Sequence, residues 1–169
     1  SGTPLLTQEV VQRFKDTGAW MMSMSLDGST VERHDAIRQV PGTFDRTVQG
    51  IRWAKAAGLP LQINTLVCAE TYDDIPAVGR VLADLGVERW SLFFLVQTGR
   101  GAVLGDITPQ QSEEMLNWLY DYSKVAPFVI KTTEAHHYRR IALERAKAEG
   151  DENKLRGLRR GFGVRDGSG

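Results

Sequence analysis

Four short apolar runs, each set off from the next by a stretch of helical period, constrain this chain more than any other feature. The runs are AWMMSMSL (19–26), LQINTLV (61–67), RWSLFFLV (89–96) and PFVIKT (127–132). Apolar runs this short, bounded by turn residues, read as buried strands. The segments between them carry helix start and stop signals. Residues 7–17 have Thr7 as N-cap, Val10, Val11 and Phe14 as an apolar face, and Gly18 as a stop. Residues 31–38 form a short helical turn. Residues 43–57 place Phe44, Val48 and Ile51 in phase and end at Gly58. Residues 73–85 tolerate Pro76 in the first turn and stop at Gly86. Thr108-Pro109 opens a helix running to about Val125, and a basic amphipathic helix follows over 135–149. Strands with near-continuous apolar content, alternating with helices, require right-handed crossovers and a parallel sheet. The fold class is therefore α/β, a parallel sheet with alternating helices. Trp53, Trp90, Trp118 and the Phe93-Phe94 pair read as packing between helices and sheet.

Composition narrows the function. The formal net charge is zero over 169 residues, which argues against a nucleic-acid-binding face. No apolar run approaches the ~20 residues of a membrane span. The single cysteine, Cys68, cannot form an internal disulfide, which fits a reducing cytoplasm, and cannot alone hold a metal cluster. It reads as a small buried hydrophobe. The body of the fold is expected over 1–149, with 150–169 a flexible, charged, glycine-rich linker.

In parallel sheets chemistry gathers at the C-terminal strand ends. Here those ends collect hydroxyls, amides and charges: Ser25-Leu26-Asp27-Gly28, Asn64-Thr65, Leu95-Val96-Gln97 and Lys131-Thr132-Thr133-Glu134. Ser25 can bond a ribose hydroxyl or cap a turn. Asp27-Gly28 is a common turn pair. His34 and Asp35 are adjacent and point apart on a helical turn, so they are read as a loop brace and a helix start, not as a dyad. Asn64 can meet a ligand or a neighbouring loop. Gly99-Arg100-Gly101 can contact an anion or make a plain turn. After the last strand, Glu134, His136, His137 and Tyr138 form a second polar cluster, and His137 and Arg140 could face a substrate carboxylate. Adjacent His136 and His137 do not have metal-ligand spacing.

The series SLDG (25–28), HDAIR (34–38), GTF (42–44) and INT (63–65) resembles the fourth-strand region of radical SAM enzymes, in the branch with a C-terminal SPASM-type domain. SGTPLLT resembles the loop after that family's third strand, and FFLVQTGRG its sixth strand and following loop. The resemblance runs from Ser1 to about Arg140. It implies part of a (β/α)6 partial TIM barrel. It also implies S-adenosylmethionine and a [4Fe–4S] cluster held by a CxxxCxxC loop, reductive cleavage to a 5′-deoxyadenosyl radical, and hydrogen abstraction from substrate. By resemblance Ser25 contacts the ribose, Arg38 the carboxylate of S-adenosylmethionine, Asn64 the adenosine or ribose, and Leu95 the adenine edge through its backbone. Lys131, Glu134 and His137 would line the substrate wall.

This sequence departs from the family in having no CxxxCxxC. A full (β/α) barrel takes about 250 residues, and this chain opens on a helix. It is expected to be a piece of a longer protein, with the cluster cysteines before Ser1 and the SPASM cysteines after Gly169. Neither cofactor is expected to assemble on the piece alone. The intact enzyme would take a tetrapyrrole or peptide substrate and an external electron donor. The isolated chain would self-associate through its truncated sheet edge. Two other readings stay open: a non-radical barrel hydrolase or lyase using Asp27, Glu134 and His137 for acid–base work, and a non-catalytic α/β binding module.

Overall fold

A computed structural model describes residues 2–135, 137–153 and 155. Helix α1 (Gln8–Asp16) precedes strand β1 (Met22–Ser25). Helices α2 (Val31–Arg38) and α3 (Thr43–Ala56) lead to β2 (Leu61–Val67). A 3-10 turn and α4 (Ile75–Leu85) lead to β3 (Arg89–Phe94). A second 3-10 turn (Gly99–Val103), α5 (Pro109–Tyr122), β4 (Val129–Thr133) and α6 (His137–Ala148) complete the order.

The four strands are all parallel and stand in sequence order, β1-β2-β3-β4. That order decides the architecture. Right-handed crossovers that always step the same way put every connecting helix on one face. A doubly wound sheet reverses its order and covers both faces; this sheet never reverses. The expected α/β parallel arrangement is present, as an arc of a partial barrel.

The strand faces differ accordingly. Leu61, Ile63, Thr65 and Val67 of β2 are buried, and the residues between them are partly exposed. Trp90 and Leu92 continue the buried face, with the Trp90 ring edge-on to Tyr122 and Phe128. Trp53 and Trp118 pack against this core as expected. Register sets the opposite face in rows. Ser25, Asn64, Ser91 and Lys131 lie side by side across the sheet. One row toward the strand starts stand Ser23, Gln62, Arg89 and Val129. One row toward the strand ends stand Leu66, Phe93 and Thr133.

Some expectations need correcting. Phe14 is 44% exposed, and Val11 takes the core position on α1. Phe93 is on the open face, so only Phe94 of that pair is core. The first strand is shorter than 19–26, and residues 31–38 make a complete helix capped by Thr30. Most of 150–169 lies outside the described residues. Leu155 is within them and is buried against Tyr120, Ala142 and Ala146. Among the described residues no helix is long and apolar enough to cross a membrane.

Candidate functional site

The site begins where β1 runs out. Leu26 still pairs with β2, its N–H donating to the Asn64 carbonyl at 3.0 Å. The Thr65 hydroxyl donates to the Leu26 carbonyl at 2.7 Å and accepts the Trp90 indole N–H at 2.8 Å. Thr65 is fully buried, so both bonds replace water that cannot reach them. Asp27 follows, only 2% exposed. One of its carboxylate oxygens accepts the Leu66 N–H at 2.8 Å, and the other pairs with the Arg38 guanidinium. Its own N–H donates to His34 Nδ1 at 2.9 Å. Gly28 then passes close to the start of α2, where a Cβ would lie 2.4 Å from the His34 nitrogen. Only glycine fits that approach.

The His-Asp pair on α2 divides its labour as the adjacent spacing requires. His34 is buried and braces the turn; burial lowers its pKa, the nearby Asp27 charge opposing and Arg38 adding to the shift. Because Nδ1 accepts, the proton sits on Nε2. Asp35 reaches forward instead and starts α3. It accepts from the Gly42 N–H, from the Phe44 N–H at 2.9 Å and from the Thr43 hydroxyl at 2.7 Å. Burial opposes ionisation of Asp35, but these hydrogen bonds outweigh it and hold its pKa below the usual value. Ser29 ties the loop to the turn before α4, donating to Asp74 through its N–H at 2.7 Å and its hydroxyl at 2.6 Å.

This framework walls a cleft of about 880 Å³ at the C-terminal ends of β1, β2 and β3. Ser25, Arg38, Asn64 and Leu95 all line it, together with Asp27, Leu66, Phe93, Val96, Gly99 and Gly101. The Asn64 amide bonds Ser23 and Gln62 along the open face, which leaves one donor and one acceptor position unspent. The Leu95 N–H is engaged with the Val67 carbonyl at 3.0 Å and so is not open to a ligand. Gly101 lies so close to the Val96 carbonyl that a Cβ would come within 2.9 Å of it, which folds the Gly99–Val103 turn onto the rim. A hydroxyl, an amide and a guanidinium facing apolar Leu66, Phe93 and Leu95 form a donor set suited to an adenosine with an attached amino acid.

The second predicted cluster does not join this cleft. Lys131 shares the row of Ser25 and Asn64, two strands beyond Asn64. Glu134 is exposed, with a left-handed backbone at φ +60°, and His137 is exposed at the start of α6. Arg140, expected to face a substrate, is ion-paired with Glu113 and Glu144. His136 lies outside the described residues. Asp27, Glu134 and His137 are thus not brought together for acid–base work: the first is paired inside the cleft wall and the others stand apart from it. Sequence reasoning missed Asp27 as the hub of the turn, and missed Leu66 and Phe93 as cleft walls. Alternation within β2 was the available signal for Leu66.

Cys68 is buried beside Thr71, and burial raises its thiol pKa. No group of three or more metal-ligating side chains occurs among the described residues. The described residues therefore offer no ligand set for a [4Fe–4S] cluster.

Comparison with known proteins agrees with this geometry. A profile of the radical SAM superfamily matches residues 1–82. The AdoMet-dependent heme synthase of Oleidesulfovibrio alaskensis is 41% identical over 152 residues, covering 89% of this chain and 39% of that protein. The AdoMet-dependent heme synthase of Methanosarcina barkeri is 38% identical over 148 residues, covering 88% and 42%. The chain thus spans about two-fifths of the length of these curated relatives. The crystal structure of Streptococcus suis SuiB bound to S-adenosylmethionine superimposes with a TM-score of 0.68 over 82% of this chain and 33% of that one, at 15% identity, a likeness of fold. The ordered strand-end motifs, the one-sided parallel arc and the heme synthase relatives lead to one conclusion: this chain belongs to the radical SAM superfamily.

Proposed function

We propose that the cleft is one wall of an S-adenosylmethionine site in a full-length radical SAM enzyme of the SPASM branch, and that the enzyme acts on a tetrapyrrole. One observation carries the reading. Ser25 ends β1, Asn64 lies midway along β2, Leu95 follows β3 and Arg38 ends α2, and all four line a single cleft of suitable size. The identity to AdoMet-dependent heme synthases supports the tetrapyrrole as substrate class.

Each side chain has a distinct part in this reading. Ser25 and Asn64 bond the ribose and adenosine. The adenine edge meets the Leu95 carbonyl and the Val96 N–H, against Phe93. Arg38, held by Asp27, presents its remaining N–H donors to the ligand carboxylate. Bound to a [4Fe–4S] cluster, S-adenosylmethionine supplies an organic radical for hydrogen abstraction, with an external electron donor. The cluster ligands come from outside these 169 residues, since the one cysteine here is buried. The outer edge of β1 carries no partner strand among the described residues. Further strands join there in the full-length enzyme, and the isolated chain self-associates through that edge.

Equilibrium binding of S-adenosylmethionine to the full-length, cluster-loaded enzyme tests the assignment. Ser25→Ala and Asn64→Ala should each weaken binding about tenfold, the worth of a hydrogen bond or two in a partly dry site. Unchanged affinity in both variants would sink it.

A further inference from the structure

The helix-free face of the sheet has an unbalanced charge. Its three rows contain two cations, Arg89 and Lys131, and no carboxylate. Elsewhere Arg33, Arg38, Arg140 and Arg145 each meet an acidic side chain. Arg89 meets none. Its Nε is buried without a hydrogen-bond partner, and Nη1 reaches only the Met21 thioether sulfur at 3.8 Å, a weak acceptor. Lys131 is exposed and has no ion-pair partner among the described residues.

The two cations are close. Arg89 is in register with Val129, so Lys131 lies two residues along the adjoining strand. A strand spacing of about 4.8 Å and a rise of about 3.3 Å per residue put their Cα atoms ~8 Å apart. Phe93 stands in the next row toward the cleft, 36% exposed. An apolar body lying on Phe93 would bring an acidic arm down onto both cations. Covering a guanidinium with a buried, unmet Nε and no anion is costly. Whatever covers this face must therefore bring negative charge.

We propose that Arg89 and Lys131 receive a carboxylate of the substrate, a flat apolar ligand with acidic arms that docks on the open sheet face beside the cleft. This rests on the tetrapyrrole reading above and names the residues that select the acidic form. They are positioning residues, since they hold the arm and not the reacting atoms.

Heme and its dimethyl ester, titrated by absorbance into the full-length enzyme, are the probes. The wild type should prefer the diacid over the ester by about tenfold or more. Lys131→Met and Arg89→Gln should each raise the Kd for the diacid about tenfold and leave the Kd for the ester unchanged. Arg89→Lys should keep part of the preference, having the charge without the fork. Equal wild-type affinity for diacid and ester would overturn the proposal while leaving the tetrapyrrole reading intact. So would variants that weaken both probes alike, which would set the cations against a carboxylate of the protein. Failure of the wild type to bind either probe would overturn the tetrapyrrole reading and this proposal with it.

Discussion

The strand-end rim at β1 and β2 and the rim at β4 use polar residues in opposite ways. At the first, the charged and polar side chains are spent on one another: Asp27 on Arg38 and Leu66, His34 on Asp27, Asp35 on the start of α3, Asp74 on Ser29. At the second, Lys131, Glu134 and His137 are exposed. The first rim is a finished wall. Its groups are locked before any ligand arrives, so binding costs little reorganisation. The second rim keeps its charge unspent, which suits contact with a partner that this chain does not supply.

Gly28→Ala should break the comparison most severely. The added Cβ would lie 2.4 Å from the His34 nitrogen and 2.7 Å from the Arg33 carbonyl carbon, both backbone atoms that cannot swing aside. Helix α2 must move, and the Asp27 contacts to His34 and Arg38 go with it. The expected loss is about 3 kcal/mol or more in denaturant unfolding. Lys131→Ala at the other rim should stay within about 0.5 kcal/mol. Similar losses from the two changes would show that the rims do not differ in the way described.

The same contrast explains what could be read from the sequence. Strand β2 was legible to the residue, because its period-2 burial follows a pattern bounded by Pro60. Thr108-Pro109 announced α5, and the structure adds the reciprocal bond from Gln111 that completes the capping box. Phe93 was not legible. In the unbroken run RWSLFFLV nothing marks which side of the sheet a residue takes. Asp27 was hidden for another reason. An Asp-Gly pair looks the same whether it forms a plain turn or a buried hub, and the partner that decides between them, Leu66, lies 39 residues away. Ser25, Asn64, Arg38 and Leu95 came from family resemblance, and their meeting at one cleft is a property of the fold.

A smaller effect should appear with pH. His34 is buried and accepts a hydrogen bond at Nδ1, so protonation must break the bond to the Asp27 N–H. Its folded pKa is lowered, chiefly by burial. A group with a lowered folded pKa takes up its proton first in the unfolded chain. Its contribution is therefore complete above the unfolded value of about 6.5 and is lost as pH falls below it. Amide exchange at Asp27 and Leu66, taken relative to the intrinsic rate at each pH, should quicken between pH 7 and 5, with no matching change around Lys131. A His34→Gln variant should flatten that response. Equal acceleration at both rims would assign the pH effect to something other than His34.

The smallest effect is expected from Glu134→Gly, the reverse of the glycine change at the first rim. Glu134 holds a left-handed backbone at φ +60°, a conformation that costs a non-glycine residue about 1 kcal/mol. Glycine removes that strain but gives the unfolded chain more freedom, a loss of about 0.4–1 kcal/mol. The two nearly cancel, leaving stability unchanged or raised by less than about 1 kcal/mol. That near-zero result is informative because Gly28 and Glu134 both follow the C-terminal ends of strands, on the two opposite edge strands of the sheet. Exchanging glycine for a side chain at one costs the wall its geometry, since α2 presses against it. Exchanging a side chain for glycine at the other costs nothing, since the exposed carboxylate holds nothing in place. If Glu134→Gly instead destabilises by more than about 1 kcal/mol in denaturant unfolding, its side chain is bracing the β4 rim, and that rim is as preformed as the first.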